Sequence, residues 1–291
     1  MAKSKKKLTP AGKIIVAIAA VLVIALGIYG TTLLFSGSSD DKEVEVINTP
    51  TTQSEADTVV DADKYNEIYA KYSAINEDYI GYLEWENNLL YNYGEDAIDP
   101  YPNVIVRSKI VDNGEGSVDD ANNEYMRHDI THEERSFGQD FMDGENAIDS
   151  NGNPTDQNVI VYGHYVYPEK YGVDNLKFTP LHKLKDPSVY EQYDTFTLTF
   201  KSQQRTYQVA HAFLYNKTLF NNRQDSPLAL NYSVEEFNVY MDKITNLYGD
   251  FLDTGITIEP TDNFITLQTC VEGRDDQLFF VIAKEIKRVD F

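Results

Sequence analysis

The sequence predicts a mainly β protein: a closed or nearly closed barrel of about seven or eight strands, with an N-terminal helical segment and helical insertions. Three observations carry that expectation. Short alternating runs recur from about residue 80 to the C-terminus, as half-buried strands require. Few helical segments interrupt them. One long apolar stretch stands ahead of them all.

That stretch comes first. Lys3, Lys5, Lys6, Lys7 and Lys13 precede an uncharged run from Ile14 to about Phe35. Roughly 20 residues at ~1.5 Å rise span a ~30 Å hydrocarbon core. The run is longer than a signal-peptide apolar region and carries no convincing cleavage site. The expectation is a cytoplasmic basic tail (1–13) and a single transmembrane anchor (14–35), with the lysines holding the N-terminus inside and the rest outside the cell membrane. Residues 36–60 are polar and aperiodic and read as an extracellular linker. Residues 61–291 then form the domain that carries the chemistry.

The whole chain has a formal charge of −22. All five of those lysines lie before the first acidic residue, Asp40, so the exported part is more negative still. Such an excess argues against a nucleic-acid partner, because phosphate backbones are bound by basic patches.

Within the domain, Tyr65, Ile68, Tyr69 and Tyr72 follow i, i+3, i+4, i+7 spacing and predict a helix ending near Asn76. Strands are expected at Ile80 to Trp85, Val104 to Val111, Asn158 to His164, Thr195 to Phe200, Thr206 to Leu214, Phe264 to Thr269 and Leu278 to Ile286. Loops 112–122 and 143–157 are rich in Asp and Gly. A short helical segment is expected near Lys177–Leu184. A longer one runs from Val234 to about Leu247, opened by Ser233 with Glu235 and Glu236 in its first turn.

Cys270 is the chain's single cysteine, so an exported domain cannot use it for an internal disulfide. It ends the run Asn263-Phe264-Ile265-Thr266-Leu267-Gln268-Thr269-Cys270. His164 ends the run from Gln157 in the same manner, directly after Gly163, a residue that permits close backbone approach. A thiol near pKa 8.5 is a modest nucleophile that a neighbouring imidazole can activate. Of the other histidines, His128, His132 and His182 fall in polar or helical segments, and His211 alternates inside a strand as a packed residue. An oxyanion stabiliser is also needed. Cys270-Val-Glu-Gly-Arg274 can be read as a three-residue hairpin turn with Gly273 left-handed, which sets Arg274 opposite Cys270. Arg274 as a solvated turn residue is the alternative, and Arg205 is the weaker second arginine.

Thr266-Leu267-Gln268-Thr269-Cys270, the later strand ending Val-Ile-Ala-Lys, and Val-Ile-Val-Tyr-Gly-His164 upstream resemble the sortases, class B most closely. Ile75-Asn-Glu-Asp-Tyr-Ile-Gly-Tyr82 resembles the family's first strand. Asn122-Asn-Glu-Tyr-Met126-Arg-His128 resembles its N-x-x-Y-L segment. Asn146-Ala-Ile-Asp149 resembles its G-x-I-F-x-D strand, and Phe178-x-x-Leu181 the helix after the histidine. The helix from Val234 also resembles class B.

The resemblance implies a sortase barrel, anchored in the membrane of a Gram-positive cell, that cuts a C-terminal sorting signal of secreted proteins. Cys270 would form a thioacyl-enzyme and His164 would move the proton. The acceptor would be an amine of a peptidoglycan cross-bridge or of a pilin lysine. Gln268, Thr269, Asn122 and Met126 match positions lining the family's substrate groove. No cofactor is required, and the acidic loops lack the calcium-loop pattern. One departure stands out: counting back from Ala283-Lys284, the family's arginine register falls on Leu278. Either the hairpin is tight and Arg274 serves, or the oxyanion role is filled differently. A secreted cysteine peptidase releasing product to water, and a non-catalytic peptide-binding module on the same barrel, are the alternative functions.

Overall fold

Strand alternation builds a ring here because its two faces each find a core. The computed structural model describes residues 60–89, 98–109, 124–217, 226–247 and 252–291. The basic tail, the apolar stretch 14–35, nearly all of the linker, loop 112–122 and Asn122 lie outside them. No described helix is long and apolar enough to cross a membrane.

The strands are β1 (Tyr79–Trp85), β2 (Val104–Arg107), β3 (Asp140–Met142), β4 (Asn158–Tyr162), β5 (Thr195–Thr199), β6 (Gln203–Asn216), β7 (Leu252–Asp253), β8 (Phe264–Cys270) and β9 (Gln277–Asp290). They hydrogen-bond in the order β5-β1-β2-β3-β4-β8-β9-β6-β7, and pairing of β5 with β6 closes eight of them into a barrel. β2–β3 and β4–β8 are parallel, while the other pairs are antiparallel. Closure removes the sheet edges that an open sheet would expose.

Period-two alternation sorts the side chains. Leu83, Trp85, Val159, Val161, Ile265, Leu267, Phe279 and Val281 fill the barrel. Ile160, Tyr162, Phe264, Phe280 and Ile282 point outward into a second core that helices cover. With both faces buried, β4 is buried at every position, which is why its sequence reads as one apolar run.

Helix α1 (Ala62–Ile75) lays Tyr72 on the outer core, its ring 5.5 Å from that of Tyr79. Asp61 caps it by accepting from the Lys64 N–H, and it stops at Asn76, as the turn formers there require. Single helical turns follow at Pro168–Tyr171 (α2) and Pro187–Tyr190 (α3), with a 3-10 segment at Thr179–Lys185. Helix α4 (Val234–Leu247) opens on a reciprocal capping box: the Glu236 N–H donates to Ser233 Oγ, and the Ser233 N–H donates to Glu236 Oε2. Phe237 and Tyr240 of α4 bury against the outer core.

Two strands were not expected. β7 is too short to alternate. β3 was hidden because Asp140 breaks its apolar pattern and strands are depleted in aspartate. The resemblance drawn for Asn146–Asp149 is corrected accordingly, since those residues lie outside every strand and only Ile148 makes an isolated β-bridge, to Pro154. Asn146 has a different task. Its side chain bonds both the Ile160 N–H and the Asn158 carbonyl, bracing β4 from below.

Candidate active site

The parallel pairing of β4 with β8 brings two distant strand ends together. The ladder runs from Asn158↔Phe264 to Tyr162↔Gln268, and the Gly163 N–H extends it by donating to the Gln268 carbonyl at 3.0 Å. Carried one residue further, the register sets His164 level with Cys270. Both fall on the outer face, in phase with Ile160 and Tyr162 on β4 and with Phe264 and Gln268 on β8. His164 and Cys270 line one cleft with Met126, Phe141, Tyr162, Gly163 and Gln268.

Gly163 is required by space. A Cβ there would lie 2.5 Å from Phe178 Cγ and 2.6 Å from Asp140 Oδ1. The strand can therefore pass close over the barrel's end and turn His164 outward.

The His164 imidazole is half-buried, with Nε2 2.9 Å from the Met126 carbonyl oxygen. A carbonyl only accepts, so Nε2 carries the hydrogen and Nδ1 is left as the basic nitrogen. Burial holds the pKa of His164 below its ordinary value. The hydrogen bond to Met126 opposes that shift, and the positive charges of Lys177 and Arg127 add to it. The ring is therefore neutral at pH 7 and able to take a proton.

Cys270 is exposed at the end of β8. Its backbone carbonyl accepts a hydrogen bond from His182 Nε2 at 3.0 Å. His182 stacks on Phe279 with ring centroids 4.3 Å apart, and Tyr165 meets it edge-on at 5.1 Å. Burial pushes the pKa of His182 down to about 4, so it donates as a neutral ring. Tyr165 Oη donates to Glu272 Oε2 at 2.9 Å, tying the segment after His164 to the loop after Cys270. Sequence reasoning passed over His182 as a helix residue. The signal it lacked was three-dimensional, because Phe279 lies 97 positions later in the chain.

The hairpin expected after Cys270 is corrected. Cys270 pairs with Leu278, and the loop between the strands runs from Val271 to Asp276. Gly273 is left-handed at φ 64°, but Arg274 lies exposed in the turn and does not face Cys270. Asp275 and Asp276 explain the wider loop: a three-residue turn would pull both into the ladder, where aspartate is disfavoured. Leu278, opposite the nucleophile candidate, is buried. Arg205 is also remote. It pairs with Arg288, ten residues along β9 from Leu278, and is buried against Glu285, Gln203 and the Pro154 carbonyl.

Among the proposed groove residues, Gln268 and Met126 line the cleft, Thr269 is buried on the barrel side, and Asn122 lies outside the described residues. Among the described residues no group of three His, Cys, Asp or Glu side chains converges to hold a metal.

No family model matches the chain, and no curated protein matches it. Solved structures do match it. A mutant form of Clostridium perfringens sortase B superposes with a TM-score of 0.58 at 18% identity, covering 80% of this chain and 92% of the other. The Staphylococcus aureus sortase B–substrate complex gives 0.55 at 20% identity, covering 78% and 93%. A Bacillus anthracis protein described as similar to sortase B gives 0.54 at 19%, covering 77% and 83%. The fold is thus a closed, mainly β barrel of the sortase type. More narrowly, it is similar to sortase B.

Proposed function

We propose that this chain is a membrane-anchored cysteine transpeptidase of sortase type, acting outside the cell on secreted proteins that bear a C-terminal sorting signal. The observation that carries the reading is the placement of Cys270 and His164 in one outward-facing cleft by the β4–β8 register. The fold agrees, and solved sortase B structures include complexes with a substrate and with triglycine. The basic flank and apolar stretch 14–35 supply the anchor.

The chemistry follows from the protonation states. Neutral His164 takes the thiol proton at Nδ1 as the Cys270 sulfur attacks the scissile carbonyl carbon. The C–N bond breaks, His164 gives the proton to the leaving amine, and a thioester to Cys270 remains. An incoming amine, from a peptidoglycan cross-bridge or a pilin lysine, then loses a proton to His164 and displaces the thiol. The His182 hydrogen bond holds the peptide carbonyl of Cys270 and so fixes where the sulfur stands.

The test is to incubate the full chain in detergent with a panel of sorting peptides plus triglycine or a lysine amine, then record masses. The reading expects a thioester on Cys270 and an amine adduct, both absent in Cys270→Ala. Hydrolysed peptide without an amine adduct would make the protein a peptidase. A second reading, a peptide-binding module, is favoured by buried Leu278 standing where the family pattern has arginine. Peptide binding with no thioester would decide for it.

A further inference from the structure

Behind the cleft, at the end of the barrel, three charged residues are buried together. Lys177, Asp99 and Asp140 are 2%, 3% and 1% exposed. Lys177 Nζ lies 2.8 Å from Asp99 Oδ2 and 5.7 Å from the Phe137 ring centroid. Neither carboxylate oxygen of Asp140 has a hydrogen-bond partner among the described residues. Lys177 itself adopts a left-handed backbone, φ 51°, which costs a non-glycine residue energy unless its surroundings impose it.

This cluster grips the backbone of His164 from two sides. Phe141 pairs with Tyr162, so the antiparallel register sets Asp140 across from Gly163, and Asp140 Oδ1 closes the space where a Cβ would stand. On the other side the Phe178 N–H donates to the His164 carbonyl at 3.1 Å, and Lys177 bridges to Tyr165. Stability does not explain the arrangement. A buried ion pair gains little over apolar packing, and an unpartnered buried carboxyl is a cost.

We propose that Asp99, Lys177 and Asp140 form a positioning cluster for His164, in which Lys177, held in place by Asp99, is the positive group behind the imidazole and Asp140 is a proton-carrying group whose ionisation the imidazole senses. The charges around each member are few. His164 faces Lys177, exposed Arg127, the Met126 carbonyl and the Cys270 thiol. Asp140 faces Lys177 and Asp99, Lys177 also feels Asp129, and Asp99 also feels Arg135, which is itself paired with Asp129. Burial pushes the pKa of Asp140 up to about 7. Below that pH the cluster is neutral overall and Lys177 disfavours a proton on His164. Above it, an added negative charge offsets Lys177.

The inference rests on His164 being the proton carrier of the proposed reaction, so its test reads His164 directly. The full chain, carrying labelled histidine in detergent, is titrated by NMR, and the His164 Cε1–H signal is identified by its loss in His164→Gln. The expected curve has a main midpoint below that of an ordinary histidine and a second, smaller inflection near pH 7. Asp140→Asn should erase the second inflection and leave the first. The double variant Asp99→Asn/Lys177→Met, which leaves neither charge unpaired, should raise the main midpoint, by less than the roughly one pH unit that a single unpaired charge nearby imposes. A wild-type curve without the second inflection overturns the proposal, as does its persistence in Asp140→Asn or an unmoved midpoint in the double variant. If the double variant does not fold, the Asp140→Asn arm decides alone. Thioester formation, read separately by mass, tests the transpeptidase reading, so a coupled titration in a chain that forms no thioester would refute that reading and keep the cluster.

Discussion

Replacing Gly163 with alanine puts a Cβ 2.5 Å from Phe178 Cγ and 2.6 Å from both Asp140 Oδ1 and Phe178 Cδ2. Carbon atoms in contact settle at about 3.5–4.0 Å, so something must yield by about 1 Å. Phe178 is fully buried in the barrel core and cannot swing aside, and Asp140 is held on β3. Overpacking of this kind costs about 1–3 kcal/mol. For a domain of this size each kcal/mol moves Tm by about 2–4 °C, so calorimetry should show a loss of about 2–12 °C. Adding Phe178→Leu should recover part of that loss, because the two residues compete for one volume. The end of β4 carries His164, so thioester formation should fall along with stability. A Gly163→Ala protein melting with the wild type, or a double variant losing the full sum of the single losses, would refute the packing argument.

Three further outcomes follow. Thr266 Oγ1 donates to Asn158 Oδ1 at 2.9 Å inside the outer core; Thr266→Val removes that donor and should cost about 1–3 kcal/mol in urea unfolding. Ser233→Ala breaks the capping box of α4 and should cost about 1 kcal/mol by the same assay, with Ser233→Asp largely neutral. His182 is held below its unfolded pKa, so the unfolded chain binds a proton more readily. Its contribution is fully present above about 6.5 and is lost as pH falls toward about 4. His182→Gln, which can still donate to the Cys270 carbonyl, should therefore flatten the decline of Tm across that window; an unchanged slope would remove His182 from the account.

Much of the architecture could be read locally. The stripe of Tyr65, Ile68, Tyr69 and Tyr72, the Ser233 cap and the alternating runs are properties of a few neighbouring residues. Each predicted its own element, because helix and strand periods are set by backbone geometry. The departures have equally definite causes. β3 was masked by Asp140, a carboxyl that burial pushes toward its neutral form and whose charge only Lys177 nearby favours. The turn after Cys270 was drawn too tight, because local turn chemistry favours Gly273 as left-handed in either loop and does not say where the ladder closes. That depends on β9 pairing with β8 and β6 at once.

From the sequence alone came the expectation of a barrel, an apolar N-terminal stretch behind a basic flank, one thiol and one imidazole at strand ends, and a resemblance to sortases. Which strands lie side by side is a long-range matter. Only the tertiary structure decided that Tyr162 pairs with Gln268, and hence that His164 stands level with Cys270. It also decided that Leu278 rather than Arg274 faces the thiol, that His182 holds the Cys270 carbonyl, and that a buried lysine and two aspartates stand behind the histidine. Strand period and turn preference act over a handful of residues, whereas register and burial are settled by packing between residues a hundred positions apart.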